Sequence, residues 1–174
     1  MISPRWRTLN FTTAITPDEA QRLRELAYGK HVLEIGAAHG YSAIIMALAG
    51  AMHVTSIDPH GETWMGDTLT SMCNNLDAFG VSDQVTIIKA TSLAGMTDLI
   101  QRGKHFNFIF LDGSAIYDEN KEDIRLARKL LMPGGTLARH DYGHEDYPDF
   151  KRLLDEEFPN GPDRLTNTLF EVTL

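Results

Sequence analysis

Five short apolar runs, each followed by a stretch with helical spacing, constrain this chain more than any other feature. His31 to Ala37 (HVLEIGA), His53 to Pro59 (HVTSIDP), Gln84 to Lys89 (QVTIIK), Phe106 to Asp112 (FNFIFLD) and Thr136 to Asp141 (TLARHD) read as buried strands. Helical patterns cover Tyr41 to Ala49, Asp67 to Phe79, Leu93 to Gln101, Asp118 to Leu131 and Asp149 to Phe158. An earlier helix opens at Thr16-Pro17-Asp18-Glu19: Thr16 caps, Pro17 suits the first helical position and Glu19 reaches back. Ala20, Leu23, Leu26 and Ala27 share its inner face, and Gly29 stops it. Strands this apolar, alternating with helices, predict a parallel sheet covered on both faces. Pro133-Gly134-Gly135 breaks the chain before the fifth strand. Thr168 to Leu174 (TLFEVTL) is a last strand, with a short one near Arg164 as its partner. At 174 residues the chain is expected to form one domain, 1–174, that needs no disulfide or metal to hold a core.

The same reading excludes several classes. The longest apolar run, Ala43 to Met52, has ten residues, about half of what a membrane span needs. Residues 1–16 show no apolar stretch of the signal-peptide kind. A lone cysteine, Cys73, has no internal partner and is read as a buried structural thiol, which points to a reducing, cytoplasmic setting. With 24 acidic against 16 basic residues the net charge is −8. No run of four Lys/Arg offsets it, so a small-molecule partner is favoured over nucleic acid.

In a sheet of this type the ligand crevice lies at the carboxyl ends of the strands. Polar residues that close a strand are therefore the site candidates. The first strand closes with Glu34-Ile35-Gly36-Ala37-Ala38-His39-Gly40-Tyr41-Ser42. Two glycines four apart, leading into a helix, allow a tight turn and a close backbone approach to a ligand. The spacing is not the G-x-G-x-x-G of dinucleotide sites. Asp58-Pro59 closes the second strand, where a carboxylate accepts ribose hydroxyls or caps a turn. Thr91-Ser92 closes the third, beside an adenine edge or as a helix cap. Asp112 closes the fourth and Asp141 the fifth, on strands expected to be neighbours; together they suit magnesium or, alternatively, helix N–H groups or a ligand ammonium.

Together these residues resemble class I S-adenosylmethionine-dependent methyltransferases. Val32 to Ala43 (VLEIGAAHGYSA) is similar to the first motif of the catechol and caffeoyl-coenzyme-A O-methyltransferases. The resemblance implies a Rossmann-like, doubly wound α/β fold: a mostly parallel sheet, helices on both faces and an antiparallel C-terminal strand. It implies that Glu34, Gly36, Ala37, Ala38, Gly40, Tyr41 and Ser42 hold the cofactor, with Asp58 and Pro59 at the ribose and Thr91 and Ser92 at the adenine. Asp112 is implied beside the methionine ammonium or a metal. The second half resembles a branch of small methyltransferases whose fourth strand ends D-G-D-H-S-Y and whose fifth ends H-D-Y-G-H. His140-Asp141-Tyr142-Gly143-His144 matches the latter. The fourth strand departs from the pattern, because Ser114 and Ala115 replace the acid and histidine that follow the glycine. Tyr142 also stands where the catechol type places a metal-binding asparagine.

The expected activity is transfer of a methyl group from S-adenosylmethionine to a small-molecule acceptor, at a hydroxyl oxygen. The alternative is a domain that binds the cofactor without transferring the group. A hydroxyl acceptor gains from proton removal, and His140 and His144, with Asp141 between them, are the candidates. His140 reads equally as a hydrogen-bonded core histidine. Asp112 and Asp141 are the candidate magnesium ligands. Trp64 and Met65 pack over the adenine or anchor a loop; Trp6 and Phe11 form a homodimer contact or cover the core.

Overall fold

The computed structural model describes residues 13–61 and 67–174, so Trp6, Phe11, Trp64 and Met65 lie outside the described residues. Its elements run α1 (Pro17–Ala27), β1 (His31–Ile35), α2 (Tyr41–Leu48), β2 (His53–Asp58), α3 (Thr68–Phe79), β3 (Val85–Lys89), α4 (Ser92–Gln101), β4 (Phe106–Leu111), α5 (Tyr117–Leu130), β5 (Leu131–Arg139), α6 (Pro148–Glu157), β6 (Arg164–Thr166) and β7 (Leu169–Thr173). Among the described residues one sheet holds every strand, in the order β3-β2-β1-β4-β5-β7-β6. The first five are parallel, while β7 runs antiparallel to β5 and β6 antiparallel to β7. This is the Rossmann-like, doubly wound arrangement with an antiparallel C-terminal edge.

Alternation along the strands sorts the core into two layers. Val32, Val54, Phe108 and Phe110 pack with α1, α2 and α3 on one face. Leu33, Ile57, Ile109 and Leu111 pack with α4, α5 and α6 on the other. The α1 stripe Ala20, Leu23, Leu26 and Ala27 is buried, and Thr16 and Glu19 form the expected reciprocal cap. Among the described residues no helix is long and apolar enough to cross a membrane.

Two expectations are corrected. The fifth strand begins at Leu131, not Thr136, because Pro133-Gly134-Gly135 forms an irregularity inside it rather than a break. Pairing with β4 jumps from Phe106↔Leu131 to Phe108↔Thr136. The antiparallel partner holds the loosened stretch: Gly134 N–H donates to Leu174 O at 2.6 Å and Leu174 N–H donates to Gly135 O at 3.0 Å. Cys73 is exposed rather than buried, since α3 turns Thr68, Met72, Leu76 and Phe79 inward.

Candidate active site

The strand order reverses between β1 and β4, and the turns that follow these two strands touch. Asp112 N–H donates to Ile35 O at 2.8 Å, and Gly36 N–H donates to Ile57 O at 2.9 Å, so the ladder continues past the strand ends. Gly36 has φ +90°, and a Cβ there would lie 2.1 Å from Asp112 O. Both facts demand glycine. Gly40, at φ +86°, is the N-cap of α2, where a Cβ would meet Met72 Cγ at 2.9 Å. Below the turn, the hydroxyls of Ser42 and Ser56 donate to the buried Glu34 carboxyl, the latter at 2.5 Å. Burial pushes this carboxyl up to about 7 against the pull of those two donors.

A cavity of about 650 Å3 opens at this switch point, within the ordinary range for small-molecule sites. Of the residues expected at the cofactor, Gly36, Ala38, Asp58, Pro59, Thr91, Ser92 and Asp112 line it. Glu34, Ala37, Gly40, Tyr41 and Ser42 are not in its wall: the first three and Ser42 are buried, and Tyr41 packs on the α1–α3 side of the core. They shape the turn from behind. Asp58 is both a cap and a wall residue. Its Oδ2 accepts from Ala38 N–H at 2.9 Å and its Oδ1 from His60 N–H at 2.7 Å. The carboxylate thus ties β2 to the glycine turn and keeps further lone pairs for a ligand. Thr91 caps α4 through Ala94 N–H at 3.3 Å.

Beside the cavity the ends of β4 and β5 carry a buried charge cluster. The His140 ring, 3% exposed, places Nδ1 3.1 Å from Asp141 and 3.3 Å from Asp112, and Nε2 3.3 Å from Glu19. Burial opposes the imidazolium charge, but three carboxylates outweigh it and its pKa is pushed up to about 12. Burial also works to raise Glu19, yet His140 and the Thr16 and Thr168 donors hold it well below the usual carboxylate range. Asp141, at φ +66°, is held low by His140 against burial, whereas Asp112 is raised because burial prevails. Arg139 is buried alongside. Its guanidinium donates to Asn120 Oδ1 at 3.0 Å and to the carbonyls of Leu111, His140 and Ser114, and it stacks over Phe150 at 4.1 Å. His144, 43% exposed, lies outside the cluster, its backbone N–H donating to Asp141 O at 3.2 Å.

A methyltransferase-domain family profile matches residues 33–142, from β1 to just past β5, well over half the chain. The chain belongs to the methyltransferase-domain family. Solved structures show the same fold at low identity. An O-methyltransferase from Bacillus cereus in complex with SAH has TM-score 0.72 and 20% identity, over 87% of this chain and 73% of that one. TomG, an O-methyltransferase from Streptomyces achromogenes involved in tomaymycin synthesis and complexed with SAM, has TM-score 0.72 and 22% identity, over 92% and 81%. A provisionally assigned SAM-dependent methyltransferase from Streptococcus mutans has TM-score 0.70 and 14% identity over 89% of this chain. The chain spans only 47% of that protein's length. Among curated proteins no sequence matches it.

In this methyltransferase domain Asp112, Asp141 and His140 offer three donor atoms within 4.8 Å of one another. Their chemistry suits a divalent cation, but their hydrogen bonds do not. His140 Nδ1 stands between the two carboxylates and is held protonated there, so a proton already does the work of a bridging cation. The residues present fit an imidazolium bridge rather than a magnesium site. The sequence reading missed four contributors. The capping pattern at Thr16 explains Glu19 by itself, and Arg139 lies within the fifth strand with no local signal. Asn120 and Asp123 are polar residues on the inward face of α5. The buried α5 face of Ile124, Ala127 and Leu130 reaches Asn120 and Asp123 one turn earlier, and a polar side chain at such a position is the signal that could have found them.

Proposed function

We propose that the chain is an S-adenosylmethionine-dependent methyltransferase acting on a hydroxyl oxygen of a small molecule. S-adenosylmethionine supplies a methyl group on a sulfonium, already activated for in-line displacement. The observation that carries the reading is the cavity at the switch point, with Gly36 pressed against Asp112 and the Asp58 carboxylate in its wall. The residues fit the group. Asp58 offers acceptors to the ribose diol, and Ile35, Ile57 and Leu93 offer apolar wall to a purine. Glu19, Asp112, Asp123 and Asp141 outnumber the cations His140 and Arg139. Asp112, in the cavity wall beside the glycine turn, suits a ligand ammonium.

His140 is assigned a positioning part rather than that of the base, since both its ring nitrogens face carboxylates, Nδ1 those of Asp112 and Asp141 and Nε2 that of Glu19. Its place in the reaction is to position Asp112 and Asp141. The proton-accepting role falls to His144, which is exposed and outside the cluster. The reading includes a single cofactor-binding domain over 1–174, a cytoplasmic setting, no nucleic-acid partner and a homodimer. Calorimetric titration with S-adenosylmethionine and its demethylated product tests it: both are expected to bind, and binding of neither overturns it. A second reading, binding without transfer, is favoured by Ser114-Ala115 in place of an acid and a histidine. It predicts the same titrations but no methylated product across a panel of hydroxyl acceptors.

A further inference from the structure

One buried nitrogen has no use so far. His60 follows the Asp58-Pro59 end of β2, and its side chain is wholly buried. Among the described residues its Nε2 is the one buried side-chain polar atom with no hydrogen-bond partner. The residue also holds φ +45°, in the left-handed region that a side chain of this size seldom adopts. An unpartnered buried polar atom costs about 1–3 kcal/mol, and such a backbone about as much again. Glycine would avoid both costs. The imidazole is therefore explained by what its other nitrogen does.

That nitrogen, Nδ1, lies 2.9 Å from Thr68 Oγ1 and 3.6 Å from Asp58 Oδ1. The same Oδ1 accepts the backbone N–H of His60 at 2.7 Å, so carboxylate, turn and ring form one unit. Asp58 and Thr68 both line the cavity, and the ring joins them from behind. A carboxylate favours an N–H over a lone pair on the side that faces it. The proton therefore sits on Nδ1, Thr68 Oγ1 accepts it, and what is left over at Nε2 is a lone pair rather than a stranded N–H. Burial lowers the ring's pKa from the ordinary 6.5 against the pull of Asp58 and Asp67, and Lys89 and His39 act with burial, so the ring is neutral at pH 7. Resting on the S-adenosylmethionine reading above, we propose that His60 is the positioning residue for Asp58: with its proton on Nδ1 it ties Thr68 to the turn that holds the carboxylate, and so fixes the acceptors offered to the ribose.

Nitrogen NMR of protein labelled in its imidazole rings reads the tautomer, with the His60 signals identified by their loss in His60→Asn. A protonated Nδ1 and a bare Nε2 are expected; a proton on Nε2, alone or together with Nδ1, overturns the proposal. Calorimetric titration with S-adenosylhomocysteine tests the positioning. His60→Gly keeps the left-handed turn but removes the link, and is expected to bind about tenfold more weakly. His60→Asn tolerates the same φ and sets an amide where Nδ1 stood, so its affinity should stay within about threefold of the unmodified protein. Undiminished affinity in His60→Gly, or equal losses in both variants, shows the ring to be filling alone and overturns the proposal while the cofactor reading stands. No binding to the unmodified protein removes the cofactor reading and the positioning role with it, whatever the tautomer.

Discussion

The turn after β1 and the paired ends of β4 and β5 meet at one cavity but are held by different means. Backbone sterics hold the turn: Gly36 at positive φ against Asp112 O, Gly40 against Met72, and one carboxylate, Asp58, receiving two backbone N–H groups. Buried charge holds the strand ends. Glu19 arrives from α1, Asn120 from α5 and the Phe150 ring from α6, around Arg139, His140 and the two aspartates. A backbone-built turn tolerates almost no change at its glycines. A charge-built cluster tolerates changes of shape but responds to every proton.

The largest effect is therefore expected in the turn. Gly36→Val should destabilise the fold by on the order of 3 kcal/mol or more, because a side chain there must displace backbone. Urea denaturation measures this, and an unchanged midpoint would show that the contact is not closed. Arg139→Met comes next, at about 2–4 kcal/mol, since it leaves Asn120 Oδ1 and the Leu111, Ser114 and His140 carbonyls without their buried donor. Arg139→Lys should recover only part, because an ammonium cannot reach four acceptors in a planar fork.

His140 provides a test that depends on pH. Its folded pKa, about 12, lies above the ordinary 6.5. The stabilisation is thus complete below about 6.5 and is lost progressively as pH rises toward 12. Between pH 7 and 9 the unmodified protein should lose roughly 1 kcal/mol per unit relative to His140→Gln. Parallel stability curves for the two proteins would show the ring to be neutral. Glu19 runs the other way: its folded pKa lies below the ordinary 4.5, so its contribution is present above that value and disappears in acid. The smallest stability change is expected for His144→Ala, within about 0.5 kcal/mol, because the ring is exposed. Its kcat should nonetheless fall about 10²–10⁴-fold if it removes the acceptor's proton. An unaltered rate would return the base role to another group.

Legibility in the sequence followed the same division. The glycine turn and Asp58 could be read because each stands where an apolar strand ends, a position that local periodicity marks, although the atoms pressing on Gly36 and Gly40 belong to Asp112 and Met72. The capping box at Thr16 was legible for the same reason. Its second duty was not: Glu19 Oε2 lies 3.3 Å from a ring 121 positions away. Arg139 carries no local signal, because its partners come from β4, α5 and α6. The irregularity at Pro133-Gly134-Gly135 was legible as a break but not as part of a strand, because the bonds that hold it come from the chain end at Leu174.

The sequence by itself determined the alternation of strands and helices, the two buried faces of the sheet and the row of polar residues where strands end, since each follows from local periodicity and backbone freedom. Tertiary structure alone decided which polar residues face the cavity and which brace it from behind. It decided too that the His140 ring lies among Glu19, Asp112 and Asp141 and that Asp123 is buried in the cavity wall. The physical reason is that protonation state and desolvation depend on every charge nearby in space, and in this fold those charges come from four separated stretches of chain.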